Sequence, residues 1–258
     1  MTAIADIIAA SHRDEEGQCV FGIPDGWMQG RTAYGGLSAA LALHAAQVSH
    51  VSLPPLRSAM TSFVGPLEGD VTVRTRELRR GRNAVFVQAE AYGETGLGLS
   101  IVFVFMAPLQ SRIDHRDMPA PDFPVPQSGD TTFRWPAPSF ISNFELVDDR
   151  RASVGAAEWR RWIRLDAREG LDPMVHLIAI ADALPPAAMK LLGGPAPISS
   201  MTWQCNLLTD RPETRDGWWL LTARAEQAVN GCSSQSMAIW NADGEPVASG
   251  MQSVALFA

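Results

Sequence analysis

The sequence predicts an α+β fold made of two successive units, each one long helix laid on an antiparallel sheet. Three observations carry this reading. A helix-forming run followed by strand-like runs occurs before a proline-rich stretch, and the same order returns after it. Short matches link the halves: Ser58-Ala-Met-Thr against Ser199-Ser-Met-Thr202, and a Ser (Ser100, Ser249) that opens an apolar last strand after a glycine turn. The length, 258 residues, exceeds the usual single domain of roughly 100–150 residues.

In the first half, Gly30-Arg-Thr-Ala-Tyr-Gly35-Gly36 leads into LSAALALHAAQV, rich in the strong helix formers Ala and Leu. Strands are expected over 58–63, 71–78, 84–91 and 100–106. Gly69-Asp70, Arg80-Gly81-Arg82-Asn83 and Gly93-Glu-Thr-Gly96 are the turns between them. Seven prolines from Pro108 to Pro138 then remove backbone donors, which suits neither helix nor central strand. The division expected is residues 1–107, a linker over 108–140, and residues 141–258 carrying the chemistry. The second half opens with a strand at Trp159-Arg-Arg-Trp-Ile-Arg-Leu165. A helix starts at Asp172-Pro173, where Asp caps and Pro occupies the first turn. Strands are expected near 198–208, 217–229, 232–241 and 246–257, with hairpins at Asn230-Gly231 and Asp243-Gly244.

Composition narrows the function. A net charge of −7 without a basic tract argues against nucleic acid as a partner. Cys19, Cys205 and Cys232 are too few and too scattered for a disulfide framework or a structural zinc site, which fits a reducing cytoplasm. The N-terminal apolar run is short, broken by Asp6 and preceded by no basic segment, so no signal peptide is expected. No apolar stretch is long enough to span a membrane. A GxSxG elbow, a phosphate-binding loop and an HExxH helix are absent, and the five histidines lack ligand spacing.

Three positions stand out as candidates for chemistry. Asp182 lies four residues after Ile178 and seven after Val175 in an apolar helical run that ends at Pro185-Pro186. A carboxylate there costs free energy unless it is paired or functional; the alternative is an exposed Asp at the edge of the stripe. Gln252 interrupts a mostly small and apolar last strand, and counting from the opening Ser places it opposite Phe103 of the first half. Its alternative is a solvent-facing side chain on an edge strand. Ser200 and Thr202, two apart, share a strand face and are otherwise ordinary strand residues. The tryptophans crowded into the second half read as packing. The pairs Arg79-Arg80, Arg150-Arg151 and Arg160-Arg161 read as facing water, with one of them a candidate for a ligand phosphate.

Together these residues resemble the acyl-CoA thioesterase II family, the double-hotdog acyl-CoA thioesterases. The resemblance runs through Trp162-Ile-Arg164, then Asp172-Pro-x-x-His176, then Ala181-Asp182, where the family has a Ser-Asp pair and Ala181 replaces the Ser. Ser199-Ser-Met-Thr-Trp203 is similar to the following strand, whose opening Thr or Ser helps hold the catalytic water. Asp243-Gly-Glu-Pro-Val-Ala-Ser-Gly-Met-Gln252 is similar to the closing motif, whose Gln completes the site. The resemblance implies a double hotdog with one continuous sheet, and places the water on Asp182, Ser200 and Gln252, with Thr202 as the register alternative to Ser200.

The expected reaction is therefore acyl-CoA hydrolysis, with Asp182 as general base or water-orienting group. Oxyanion donors are expected at Gly35-Gly36, because helix N-termini present free N–H groups. No metal or redox cofactor is expected, and coenzyme A enters only as part of the substrate. A homodimer or larger homo-oligomer is expected. A non-catalytic acyl-CoA or lipid-binding protein and an enoyl-thioester hydratase are the competing readings, and a pure interaction protein is a fourth. His176, six residues from Asp182, is poorly placed round the helix for the Asp/His pair a hydratase favours.

Overall fold

The computed structural model describes residues 2–151, 153–194 and 196–257. The first half comprises α1 (Ile4–Ala9), β1 (His12–Arg13), β2 (Cys19–Gly22), β3 (Met28–Gln29), β4 (Thr32–Ala33), α2 (Gly35–Ser49), β5 (Leu56–Phe63), β6 (Asp70–Arg80), β7 (Ala84–Gly93) and β8 (Gly96–Met106). The second comprises β9 (Phe144–Asp148), β10 (Glu158–Leu165), α3 (Pro173–Ala181), β11 (Ile198–Leu207), β12 (Trp219–Val229), β13 (Cys232–Trp240) and β14 (Pro246–Leu256). The repeated helix-then-four-strand order holds. The short pieces before α2 were not anticipated.

Twelve strands form one sheet in the order β1-β2-β6-β7-β8-β5-β11-β14-β13-β12-β10-β9. The halves join at its centre, where β5 and β11 pair antiparallel from Ser58–Asn206 to Ser62–Thr202. A central seam of this kind leaves no open edge between the halves. Helix α2 packs on β6, β7 and β8 and against α3. From Gly36 to Ala46 it is buried except at His44. A helix apolar on every side belongs in a core, and its alanines and glycines let neighbours approach closely. A Cβ on Gly36 would lie 2.5 Å from the Tyr34 hydroxyl and 2.6 Å from the Ala179 carbonyl oxygen. Tyr34 Oη meanwhile donates to that carbonyl at 2.8 Å.

Bulges fix how the halves correspond. An extra residue interrupts pairing at Arg57 in β5 and at Met201 in β11. Further out, Leu78 in β6 and Glu226 in β12 do the same. Superposing these bulges matches Ala59 with Trp203, Val87 with Gln235 and Phe103 with Gln252. The Phe103–Gln252 equivalence thus holds. The Ser58-Ala-Met-Thr match does not: it sets Thr61 against Thr202, three residues out of structural register.

The proline-rich stretch has no helix or strand over 107–139 beyond one bridge, Phe133 to Leu146. Part of it covers the outer face of the second half. Met118, Ala120, Phe123 and Val125 pack on Trp162, Trp218, Leu220 and Trp240. The indole N–H groups of Trp162 and Trp240 donate to the carbonyls of Phe123 (3.2 Å) and Met118 (3.0 Å). Trp203 and Trp219 belong instead to the main core. Arg160 and Arg161 are a correction: they do not face water freely but pair with Asp149, Glu158 and Asp148.

Candidate active site

The start of α3 follows from its sequence. Asp172 accepts from the N–H groups of Met174 (2.9 Å) and Val175 (3.1 Å), and Pro173 takes the first turn. The end does not follow the expectation that the helix runs on toward Pro185-Pro186. It stops at Ala181, and Asp182 is its C-cap at φ −100°, ψ 9°. The carboxylate leaves the apolar stripe and turns to the N-terminus of α2, where the Gly36 N–H donates to it. A helix C-terminus is a poor seat for an anion, but here the N-terminal dipole of a second helix faces it from the other half. Contact is close enough to require glycine: a Cβ on Gly35 would lie 2.6 Å from Asp182 Oδ2 and 2.9 Å from the Phe63 ring.

Gln252 supplies the second anchor. Its Nε2 donates to Asp182 Oδ1 at 3.1 Å. The edge-strand alternative fails, because β14 lies between β11 and β13 and Gln252 is buried. The exposed-Asp alternative fails too. Burial raises the Asp182 pKa to about 7, outweighing the two hydrogen bonds, from Gln252 and Gly36, that pull it down. The same carboxylate adds to the burial that pushes the Cys205 thiol up to about 12.

The structure separates the two hydroxyl candidates. Because Met201 is an extra residue, Ser200 pairs with Val254 and Thr202 with Ser253. Consecutive partners point to opposite faces, so Ser200 and Thr202 do not share one. Ser200 stands on the inner face, at the next inward pair beyond Trp203–Gln252. Thr202 is exposed on the outer face, which removes it from the site. Asp182, Gln252, Gly35 and Gly36 are brought together.

Two residues went unread in the sequence. Gln235, fully buried, is the direct strand partner of Gln252 and donates its Nε2 to Gln252 Oε1 at 2.7 Å. Thr61, also buried, pairs with Trp203 on the same face and is its neighbour across the seam; its Oγ1 has no partner among the described residues. Only register could have found either. His176 lies against Trp219 with ring centroids 6.2 Å apart, and burial lowers its pKa to about 4. Among the described residues, no three or more His, Cys, Asp or Glu side chains gather to hold a metal ion, and no helix is long and apolar enough to cross a membrane.

Two helix-on-sheet units joined through one continuous sheet define a double hotdog, with the Asp182 carboxylate at their join. The solved structures share this fold. A conserved hot dog fold protein of unknown function from Alicyclobacillus acidocaldarius is 24% identical, with TM-score 0.85 and coverage of 100% of this chain and 99% of that one. The tesB protein of Mycobacterium avium subs paratuberculosis is 19% identical, TM-score 0.79, with 98% of each chain covered. An acyl-CoA thioesterase II, TesB2, from Mycobacterium marinum is 17% identical, TM-score 0.76, with 98% of each covered. No curated protein matches the chain. Residues 23–107 match the model of the acyl-CoA thioesterase N-terminal domain, and residues 115–256 that of the C-terminal domain. The chain belongs to the acyl-CoA thioesterase family, and its reaction class is hydrolysis of an acyl-CoA thioester.

Proposed function

We propose that Asp182 activates the water that cleaves the thioester. The observation that carries this is a half-buried carboxylate held at Oδ1 by Gln252 and facing the first turn of α2, with its pKa raised to about 7 by desolvation. A base with a pKa near the working pH combines adequate ionisation with adequate proton affinity. Asp182 takes a proton as the water oxygen bonds to the carbonyl carbon. The tetrahedral intermediate then collapses, the carbon–sulfur bond breaks, and the proton passes to the departing thiolate.

Charge on the carbonyl oxygen needs fixed donors. Gly36 N–H serves Asp182, so we assign the oxyanion to the neighbouring N–H groups of Gly35 and Leu37. Both precede the first intrahelical bond, Ser38 N–H to Tyr34 O at 3.0 Å. Ser200 adds a hydroxyl to the inner face near Gln252 and is assigned to the water.

Thiol release from a panel of acyl-CoAs, with wild type and Asp182→Asn compared, tests this reading. Loss of release from a folded variant supports it. Undiminished release would sink the role of Asp182, and acyl-CoA binding without turnover by the wild type would favour a binding protein.

A further inference from the structure

We propose that Gln235 is a positioning residue that fixes which end of the Gln252 amide faces Asp182. The inference rests on the role given to Asp182 above.

A glutamine amide has nearly the same shape either way round, but its ends differ: one donates and the other accepts. Turned over, Gln252 would set its carbonyl oxygen against the carboxylate, lone pair to lone pair. Three bonds in a row decide the matter. Ala187 N–H donates to Gln235 Oε1 at 2.7 Å, Gln235 Nε2 donates to Gln252 Oε1 at 2.7 Å, and Gln252 Nε2 donates to Asp182 Oδ1 at 3.1 Å. One end of the row is a backbone N–H, which only donates. The other is a carboxylate, which when ionised only accepts. A single polarity of the two amides satisfies all three bonds. Both glutamines are buried, 0% and 3% exposed, so an amide turned the wrong way has no solvent to repair it.

The anchor is itself well placed. Ala187 opens the short 3-10 helix Ala187–Leu191 directly after Pro185-Pro186, and this helix packs on β12 and β10. The turn that follows Asp182 therefore folds back and, through two side chains, orients the group that holds Asp182. In the first half the corresponding pair is Val87 and Phe103, which carry no such polarity.

The experiment is the pH dependence of kcat and KM for thioester hydrolysis in Gln235→Leu, Gln235→Glu, Gln252→Leu and the Gln235→Leu/Gln252→Leu double variant, with Asp182→Asn as reference. Gln235→Leu frees Gln252 to turn over. It should lower kcat about tenfold, leave KM within about twofold, and move the acid limb to higher pH. The double variant should be no slower than Gln252→Leu alone, because Gln235 acts only through Gln252. Gln235→Glu gives the sharpest reading. A protonated carboxyl at this position can accept from Ala187 N–H and donate to Gln252, but an ionised one cannot donate. Measured against wild type at the same pH, its kcat should therefore be close at low pH and fall progressively further behind as pH rises.

A Gln235→Leu enzyme with the wild-type acid limb and kcat would overturn the proposal, as would losses that multiply in the double variant. If Gln235→Leu does not fold, the slope for Gln235→Glu decides alone, and a pH-independent loss there counts against the proposal. Activity surviving in Asp182→Asn would reject the general-base reading instead, whatever Gln235 does.

Discussion

The two halves share a frame and differ in what fills it. Ten residues after the N-cap of the helix, the second half has Asp182 and the first has His44. Where the second half buries Gln252 and Gln235, the first buries Phe103 and Val87. Among the described residues His44 makes no hydrogen bond like that of Asp182 to Gly36: burial lowers its pKa, and Asp172 at the start of α3 acts on it only electrostatically, in the opposite direction. One half carries the cost of a half-buried carboxylate and two buried amides. Its twin has the half-buried His44 and the apolar Val87 and Phe103 at the same places. The two halves thus share a frame while differing in the polar groups at a few equivalent positions.

The largest expected effect breaks the comparison outright. Asp182→Asn should lower kcat by about 10²–10⁴-fold. Stability should move the other way. The folded protein keeps the Asp182 proton up to about pH 7, whereas the unfolded chain releases it near the ordinary carboxylate value. Wild-type stability therefore falls as pH rises between about 4 and 7. A rise in pKa to about 7 sets a ceiling of ~4 kcal/mol on that loss. Asparagine does not titrate, so relative to wild type the variant should be more stable at pH 8 than at pH 4 by up to ~4 kcal/mol, whatever constant offset its altered hydrogen bonding adds. Urea titrations at the two pH values measure this, and equal effects at both would contradict the buried charge.

Phe103→Gln asks whether one amide can turn the first half toward the second. It should cost about 3 kcal/mol and add no activity, because Val87 offers an inserted amide no polar partner. A second active site detected after Asp182 is removed would refute this. Gly35→Ala tests the close approach at the join. Its methyl displaces Asp182 Oδ2, so we expect roughly tenfold lower kcat and a loss of 1–3 kcal/mol. The smallest effects separate the hydroxyls. Ser200→Ala should slow hydrolysis several-fold, about what one hydrogen bond is worth. Thr202→Ala, on the outer face, should leave kcat/KM within about twofold; a reversed order would return the water to Thr202.

The sequence showed well what is local. The Asp172-Pro173 start of α3 was legible because cap chemistry needs only adjacent residues. Gln252 was legible because it interrupts an apolar strand. Gln235 was not, since it sits among Cys-Ser-Ser-Gln-Ser, where another polar residue attracts no notice. Its role exists only once β13 is set beside β14. The bulges at Arg57 and Met201 were equally silent, as nothing about either residue marks it as extra. That silence made the four-residue match misleading and left Ser200 and Thr202 undivided. The strand Cys19–Gly22 escaped because four residues are too few to show a period.

The donation from Gly36 to Asp182 crosses from one half to the other. The carboxylate belongs to the second unit and its helix-end donor to the first, so neither unit holds the whole pair. Were the two units separate chains, like could meet like: paired copies of the first would carry His44 in place of the carboxylate, and paired copies of the second would present Pro173, which has no N–H, where Gly35 stands. Tethering them in one polypeptide guarantees one of each at every join. With two distinct units in one chain, a substitution on one side of the join is not repeated on the other.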